Sequence, residues 1–111
     1  MINDKPINCR PIVFAALFDE LRLAADSCGY GAGLTGSLAR DCDVNWFPYK
    51  HDASSAEDLV NRLHELIGGE LCGPWDKPHG RRSWVIQTGD LCFDFGVWPR
   101  LRDARWKCVD T

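Results

Sequence analysis

The sequence lacks any apolar run long enough to span a membrane. Its first residues, "MINDKPINCR", have neither the basic nor the apolar region of a secretory signal. The stretch "IVFAALF" is too short to cross a bilayer and is closed by Asp19 and Glu20. These absences predict a cytoplasmic protein, in which the six cysteines are reduced and mostly buried in the core.

Zinc motifs are also missing. The six cysteines form no C-x-x-C pair, and none of the three histidines lies at helical spacing from another. The formal net charge of -3 is too small to indicate a general nucleic-acid binder or an acidic-surface protein. Any binding function must therefore come from local clusters of side chains.

The chain has no internal repeat, linker or low-complexity segment. Its 111 residues, of which 45% are hydrophobic, are enough for one packed core. We therefore expect a single domain over residues 1–111. Its core should span about 11–100, followed by the basic tail 101–111, for which a solvated, frayed end is the simplest interpretation.

The periodicity of apolar residues predicts two helices and several strands. Spacings of three and four indicate a helix over 11–27, and a second helix follows the capping box of Ser54 and Glu57 and ends at Gly68. Strands are predicted at "YGAGLTGS", at 43–49, at 70–75, and in "SWVIQT" and "LCFDFGVW", the two arms of a hairpin. The fold class is therefore α+β, a mixed β-sheet with helices packed on it.

Three aspartates form the first candidate cluster. Asp41 and Asp43 are two residues apart, so in extended backbone both carboxylates project from the same face. Asp94 interrupts the apolar run "LCFDFGVW", where a charge is costly unless it is paired or bound to metal. If the two strands are neighbours, the three carboxylates suit Mg²⁺ or Mn²⁺ bridging substrate phosphates. In the competing interpretation, Arg81 or Arg82 neutralises Asp94.

Two further groups of residues suit phosphates. Gly36 and Ser37 lie in a turn with exposed backbone N–H groups and a hydroxyl, although Ser37 serves equally well as a helix N-cap. The loop "DKPHGRR" concentrates Lys77, Arg81 and Arg82 and enters the strand that should pair with the strand of the third aspartate. We expect these five residues to bind a nucleotide near the carboxylates.

The segment "GLTGSLARDCDV", followed much later by "CFDFGV", resembles the catalytic signature of the polymerase-beta-like nucleotidyltransferase superfamily. That signature is Gly-Ser, then Asp-x-Asp on a strand, then a third Asp on a later strand. The wider frame looks like short phage or prophage proteins of this fold. The resemblance implies a minimal nucleotidyltransferase-like fold in which Gly36 and Ser37 grip phosphates, Asp41 and Asp43 hold Mg²⁺, and Asp94 assists the attacking hydroxyl.

Two functions stay open. One is an enzyme that transfers a nucleotidyl group from a nucleoside triphosphate (NTP) to a hydroxyl of an acceptor that the sequence does not name. The other is a catalytically inactive binding or regulatory protein of phage origin, favoured by the short spacer of three residues between Gly-Ser and Asp-x-Asp. Larger relatives hold the acceptor with a helical domain, so a homodimer or a helical partner protein is expected here. Nucleic acid is a further candidate ligand.

Overall fold

The computed structural model describes residues 10–35 and 41–103, which form two helices and five strands. The helices are α1 (Arg10–Ser27) and α2 (Ala56–Ile67), and a short 3-10 turn covers Pro78–Gly80. The strands are β1 (Tyr30–Thr35), β2 (Asp41–Pro48), β3 (Glu70–Asp76), β4 (Arg82–Thr88) and β5 (Leu91–Val97). The predicted α+β class is confirmed. Neither described helix is long and apolar enough to cross a membrane.

The five strands form one mixed sheet in the order β1-β2-β5-β4-β3. The β2 and β5 strands run parallel, whereas every other neighbouring pair is antiparallel. The predicted hairpin is confirmed, since β4 and β5 pair from Thr88 and Leu91 outwards around Gly89 and Asp90. The α2 helix lies in the connection between β2 and the β3–β5 meander, so the two central strands come from distant parts of the chain.

Both helices pack on the same face of the sheet. Phe14 of α1 meets Phe93 of β5 edge to face, with ring centroids 5.3 Å apart. The fully buried side chains of this layer come from both helices and the central strands, and include Leu21, Leu59, Leu63, Trp46, Phe95 and Ile86. Neither described helix covers the opposite face, which we call the open face. The strands therefore have a core side and an accessible side.

The α2 helix begins one residue later than predicted. Its N-cap is Ser55, whose Oγ accepts a hydrogen bond of 3.1 Å from the backbone N–H of Asp58. The predicted cap, Ser54, is used differently: its N–H donates to the carbonyl of Cys28, and its carbonyl accepts from the hydroxyl of buried Tyr30. Ser54 thus ties the start of α2 to the α1–β1 connection, and the cap falls on the next serine.

The expectation that most cysteines are core residues is wrong for the described ones. Of the four, Cys42 is buried, Cys28 and Cys92 are half-buried, and Cys72 is exposed. All four are free thiols. The strand alternation explains the difference, because Cys72 and Cys92 fall on the open face whereas Cys42 points into the core. Cys9 and Cys108 lie outside the described residues.

Candidate functional site on the open face of the sheet

The open face arranges its side chains in rows that follow the strand register. Asp43 of β2 is the direct neighbour of Asp94 on β5, which in turn lies opposite Val85 of β4. The next row is made mostly of small or polar residues and ends at an aromatic one: Asn45, Gly96, Ser83 and Trp75. Both rows line one cavity of ≈ 460 Å³, which also contacts Lys77 and Arg81.

The alternation of β2 brings its two aspartates to the same face. Cys42, Val44 and Trp46 are buried in the core, whereas the odd-numbered positions between them are accessible. Asp43 and Asp94 belong to adjacent parallel strands, which are about 4.8 Å apart. The prediction that the three carboxylates share one surface agrees with this register.

Asp94 does not lie where its apolar neighbours indicated. Its strand is central in the sheet, as predicted, but Asp94 is exposed on the open face while Phe93 and Phe95 are fully buried on the other. Neither Arg81 nor Arg82 forms an ion pair with it in the described part of the chain. The competing interpretation, in which Arg81 or Arg82 neutralises Asp94, was therefore wrong, whereas the expectation that a metal ion binds this carboxylate stays a prediction.

Burial and the neighbouring carboxylates together raise the pKa values of three side chains around the acidic cluster. Partial burial raises the pKa of Asp43, and the charges of Asp94 and Asp41 raise it further. The pKa of the Cys92 thiol is raised by burial and then by Asp41 and Asp94. Burial, assisted by Asp43, raises the pKa of Cys42 to about 12. A cation at this position would relieve these repulsions.

Two basic side chains face the carboxylates across the cavity. Arg81 Nη1 lies 3.4 Å from Asn45 Oδ1, and the guanidinium lies 5.8 Å from the ring centroid of Trp98. Gly96 makes room for this arrangement, because a Cβ there would lie 2.7 Å from Asn45 Oδ1 and 3.4 Å from two Arg81 atoms. Lys77 lines the same cavity, and its backbone N–H donates to the carbonyl of Arg81. The predicted closeness of this loop to the acidic cluster therefore holds for Lys77 and Arg81.

Arg82 lies on the other face of the sheet. Its Nη2 donates to Glu57 Oε2 at 2.5 Å, and its guanidinium lies 5.1 Å from the ring centroid of Trp84. The hydrogen bond from Arg82 lowers the pKa of Glu57. Arg82 lies two residues before Trp84 and four before Ile86 in β4, so its side chain lies on the same, helix-covered face of the sheet. The structure thus separates Arg82 from the residues of the acidic cavity.

Several residues of the cavity were missed, and two predicted site residues lie outside the described chain. Sequence reasoning did not assign Asn45, Ser83 or Trp75 to the site, although all three line the cavity. Extending the alternation two residues beyond Asp43 would have found Asn45. The predicted phosphate-binding residues Gly36 and Ser37 lie outside the described residues.

The donor set can be compared with the needs of a divalent cation. Across residues 10–35 and 41–103, no three or more His, Cys, Asp or Glu side chains converge closely enough to hold a metal alone. Mg²⁺ rarely requires such a cage, because it is usually bound by one or two carboxylates together with substrate phosphates and water. The neighbouring Asp43 and Asp94 fit that mode of binding.

No protein-family model, curated protein or solved structure matches this chain. Any function of the open face must therefore be inferred from its own side chains.

Proposed function

We propose that the protein is a Mg²⁺-dependent nucleotidyltransferase that transfers a nucleotidyl group from an NTP to an acceptor hydroxyl. The observation that carries the proposal is the pairing of Asp43 with Asp94 on adjacent parallel strands, facing Lys77 and Arg81 across one cavity. Carboxylates beside basic side chains are the combination required to bind a polyphosphate together with its metal ion. The resemblance in sequence points to the same chemistry.

The metal ion would be held by Asp43 and Asp94, with Asp41 adjacent on the same face. The raised pKa of Asp43 is consistent with this assignment, since partial burial and the charges of Asp94 and Asp41 disfavour the ionised carboxylate and a bound cation would favour it. When bound, Mg²⁺ or Mn²⁺ would neutralise negative charge on the phosphates and on the departing pyrophosphate.

The remaining roles fall to side chains of this chain. Asp94 accepts the proton of the acceptor hydroxyl, whose oxygen forms a bond to the α-phosphorus of the NTP. The bond from that phosphorus to the β-phosphate oxygen breaks, and pyrophosphate leaves. Lys77 and Arg81 compensate the charge of the phosphates. By resemblance, Gly36 and Ser37 would donate hydrogen bonds to the same phosphates.

A second function has its own support. The short spacer of three residues before Asp41 favours a catalytically inactive nucleotide-binding or regulatory module. Such a module would use the same cavity without transfer. For either function we propose a cytoplasmic location and a partner, a second copy or a helical protein, that supplies the acceptor or completes the cleft.

A thermal-shift experiment tests the shared requirement of both functions. Millimolar Mg²⁺ or Mn²⁺ with each common NTP should raise the melting temperature of the wild type by mass action, by an amount that grows with ligand concentration. Asp43→Asn should abolish the rise. Asp90→Asn, the same substitution at an exposed turn residue, should preserve it.

Labelled NTPs then distinguish the two functions. Incorporation of the nucleotide into the protein, a partner or an added polynucleotide, with release of pyrophosphate, supports the enzyme. A metal-dependent shift without any pyrophosphate release, even when a cell extract supplies acceptors, favours the inactive module. A wild type that shows no shift with any NTP would refute the enzyme and a nucleotide-binding module, and would leave only a regulatory module that binds no nucleotide.

A further inference from the structure

Trp75 lies on the edge strand β3 and lines one end of the acidic cavity. It is 49% exposed, whereas Trp46 and Trp84 are buried in the core. Trp75 lies opposite Ser83, in the same row as Asn45. Trp75 also lines the cavity that contains the carboxylates and the basic side chains.

An irregularity in β3 directs Trp75 to the open face. Cys72 pairs with Val85 and Trp75 pairs with Ser83, so three steps along β3 match two steps along β4. Residues three apart in a regular strand point to opposite faces, but the extra residue of a bulge returns the second side chain to the first face. Without the bulge, Trp75 would not line the cavity.

Gly73 lies close to the ring of Trp75. A Cβ at this position would lie 3.1 Å from Trp75 Cζ3 and 3.2 Å from Cε3, and only 2.9 Å from the carbonyl oxygen of Ser83. The φ of Gly73 is +113°, in the region that favours glycine. The Cζ3 and Cε3 atoms of the indole thus lie close against Gly73, where a side chain would not fit, and Trp75 lines the cavity. An aromatic ring fixed in this way loses little conformational freedom when a flat ligand stacks on it.

We infer that Trp75 is the stacking platform for the nucleobase, an inference that rests on the proposed nucleotide site. Two strand spacings, about 10 Å, separate β3 from the strand of Asp94. A sugar and its first phosphate can bridge that separation, which leaves the base over Trp75 and the phosphates between Arg81 and the carboxylates. Since every base presents a π face, the platform binds purines and pyrimidines, with larger ring systems preferred.

The test compares whole nucleotides with their parts. Calorimetry would measure the affinity of Mg²⁺-ATP, Mg²⁺-UTP and Mg²⁺-tripolyphosphate for the wild type, Trp75→Leu and Trp75→Phe. Leucine keeps apolar bulk but has no π face, whereas phenylalanine keeps the π face. We expect Trp75→Leu to weaken ATP binding about tenfold, the loss of one base-stacking contact, and Trp75→Phe to retain most of the affinity. Tripolyphosphate affinity should be equal in all three proteins.

Other outcomes overturn the inference. If Trp75→Leu weakens ATP and tripolyphosphate equally, or weakens neither, Trp75 does not contact the base. Adenosine alone separates this inference from the proposed function, because it needs neither metal nor basic residues. Quenching of tryptophan fluorescence by adenosine that disappears in Trp75→Leu, without any binding of tripolyphosphate, would keep the platform and refute the polyphosphate site. A wild type that binds neither adenosine nor ATP refutes both.

Discussion

Replacing Asp43 by asparagine should stabilise the metal-free protein while destroying its response to metal. The pKa of Asp43 is raised by partial burial, by Asp94 and by Asp41, so the ionised form is disfavoured in the folded state. Asparagine has nearly the same shape but carries no charge at any pH. The substitution therefore removes the repulsion without opening a cavity or exposing the core.

The size of the effect follows from the strand register. Two carboxylates on the same face of adjacent strands are about 5 Å apart, and their repulsion is ~0.8 kcal/mol in the dielectric of water and ~3 kcal/mol at an effective dielectric constant of 20. Asp43 is half-buried, but Asp94 is exposed, which keeps the value near the lower limit. We expect a gain of about 1 kcal/mol, or about 4 °C in melting temperature for a domain of this size.

The stability gained by Asp43→Asn should depend on pH. A carboxyl group whose folded pKa is raised above its ordinary value of 3.8 binds more protons in the folded state than in the unfolded state. Its charge therefore lowers the free energy of unfolding as the pH rises through the folded pKa, and the cost is complete at neutral pH. The advantage of Asp43→Asn over the wild type should be absent below pH 3.8 and full at pH 7.

Urea unfolding in the presence of EDTA, at a series of pH values, measures this difference directly. Asp90→Asn is the control for the chemical change itself, and its stability should follow the wild type at each pH. A loss of stability in Asp43→Asn at pH 7, or a gain that does not vary with pH, would show that repulsion among the three carboxylates is not what raises the pKa of Asp43. Binding of Mg²⁺ by the variant as strongly as by the wild type would refute its role as a ligand.

Three further predictions concern other parts of the fold. Gly96→Ala should weaken Mg²⁺-ATP binding about fivefold in calorimetry, because its Cβ would lie 2.7 Å from Asn45 Oδ1 and push that side chain off its contact with Arg81, at a cost of about one hydrogen bond. Gly31→Ala, whose Cβ meets only one atom at 3.9 Å, should have no effect; equal affinities of the Gly96 variant and the wild type would contradict the prediction. Arg82→Ala should leave the affinity for Mg²⁺-ATP unchanged but lower the free energy of unfolding by about 0.5 kcal/mol at pH 7. This loss should disappear below the lowered pKa of Glu57, and weaker ATP binding would show that Arg82 belongs to the site. Burial raises the pKa of Tyr30 to about 12, so stability should fall by up to about 3 kcal/mol as the pH rises from 10 to 12. In urea unfolding, Tyr30→Phe should lack this alkaline loss, and an identical loss would exclude Tyr30 as its source.

The fold was predictable because its signals are local. Alternation in β2, the turn at Gly89 and Asp90, and the glycine that ends α2 each act within a few residues. The three carboxylates were also predictable as one surface, since two lie on one strand and only the pairing of that strand with β5 had to be guessed. Such features depend on backbone geometry that any sequence must obey.

The features that could not be predicted depend on how distant parts of the chain pack together and on where strands begin or bulge. The exposure of Asp94 follows from the absence of a described helix on the open face, whereas an apolar strand alone is equally typical of a sheet covered on both sides. Arg81 and Arg82 were treated alike because the sequence does not fix where β4 begins, and one residue decides the face. The bulge that returns Trp75 to the cavity leaves no signal beyond a glycine and a proline in an edge strand.

The open face has a consequence for how this protein can change over evolutionary time. Along β2 the even-numbered residues, such as Val44, are packed in the core, and the odd-numbered ones, such as Asp43, contact the cavity; in β5 the parity is reversed, with Phe93 in the core and Asp94 outside. In a systematic substitution scan, tolerance to mutation should therefore alternate from one residue to the next along each strand. The tolerant positions should be odd-numbered in β2 and even-numbered in β5. Substitutions at the open-face positions can change the chemistry of the cavity, while the core-facing positions keep the chain folded.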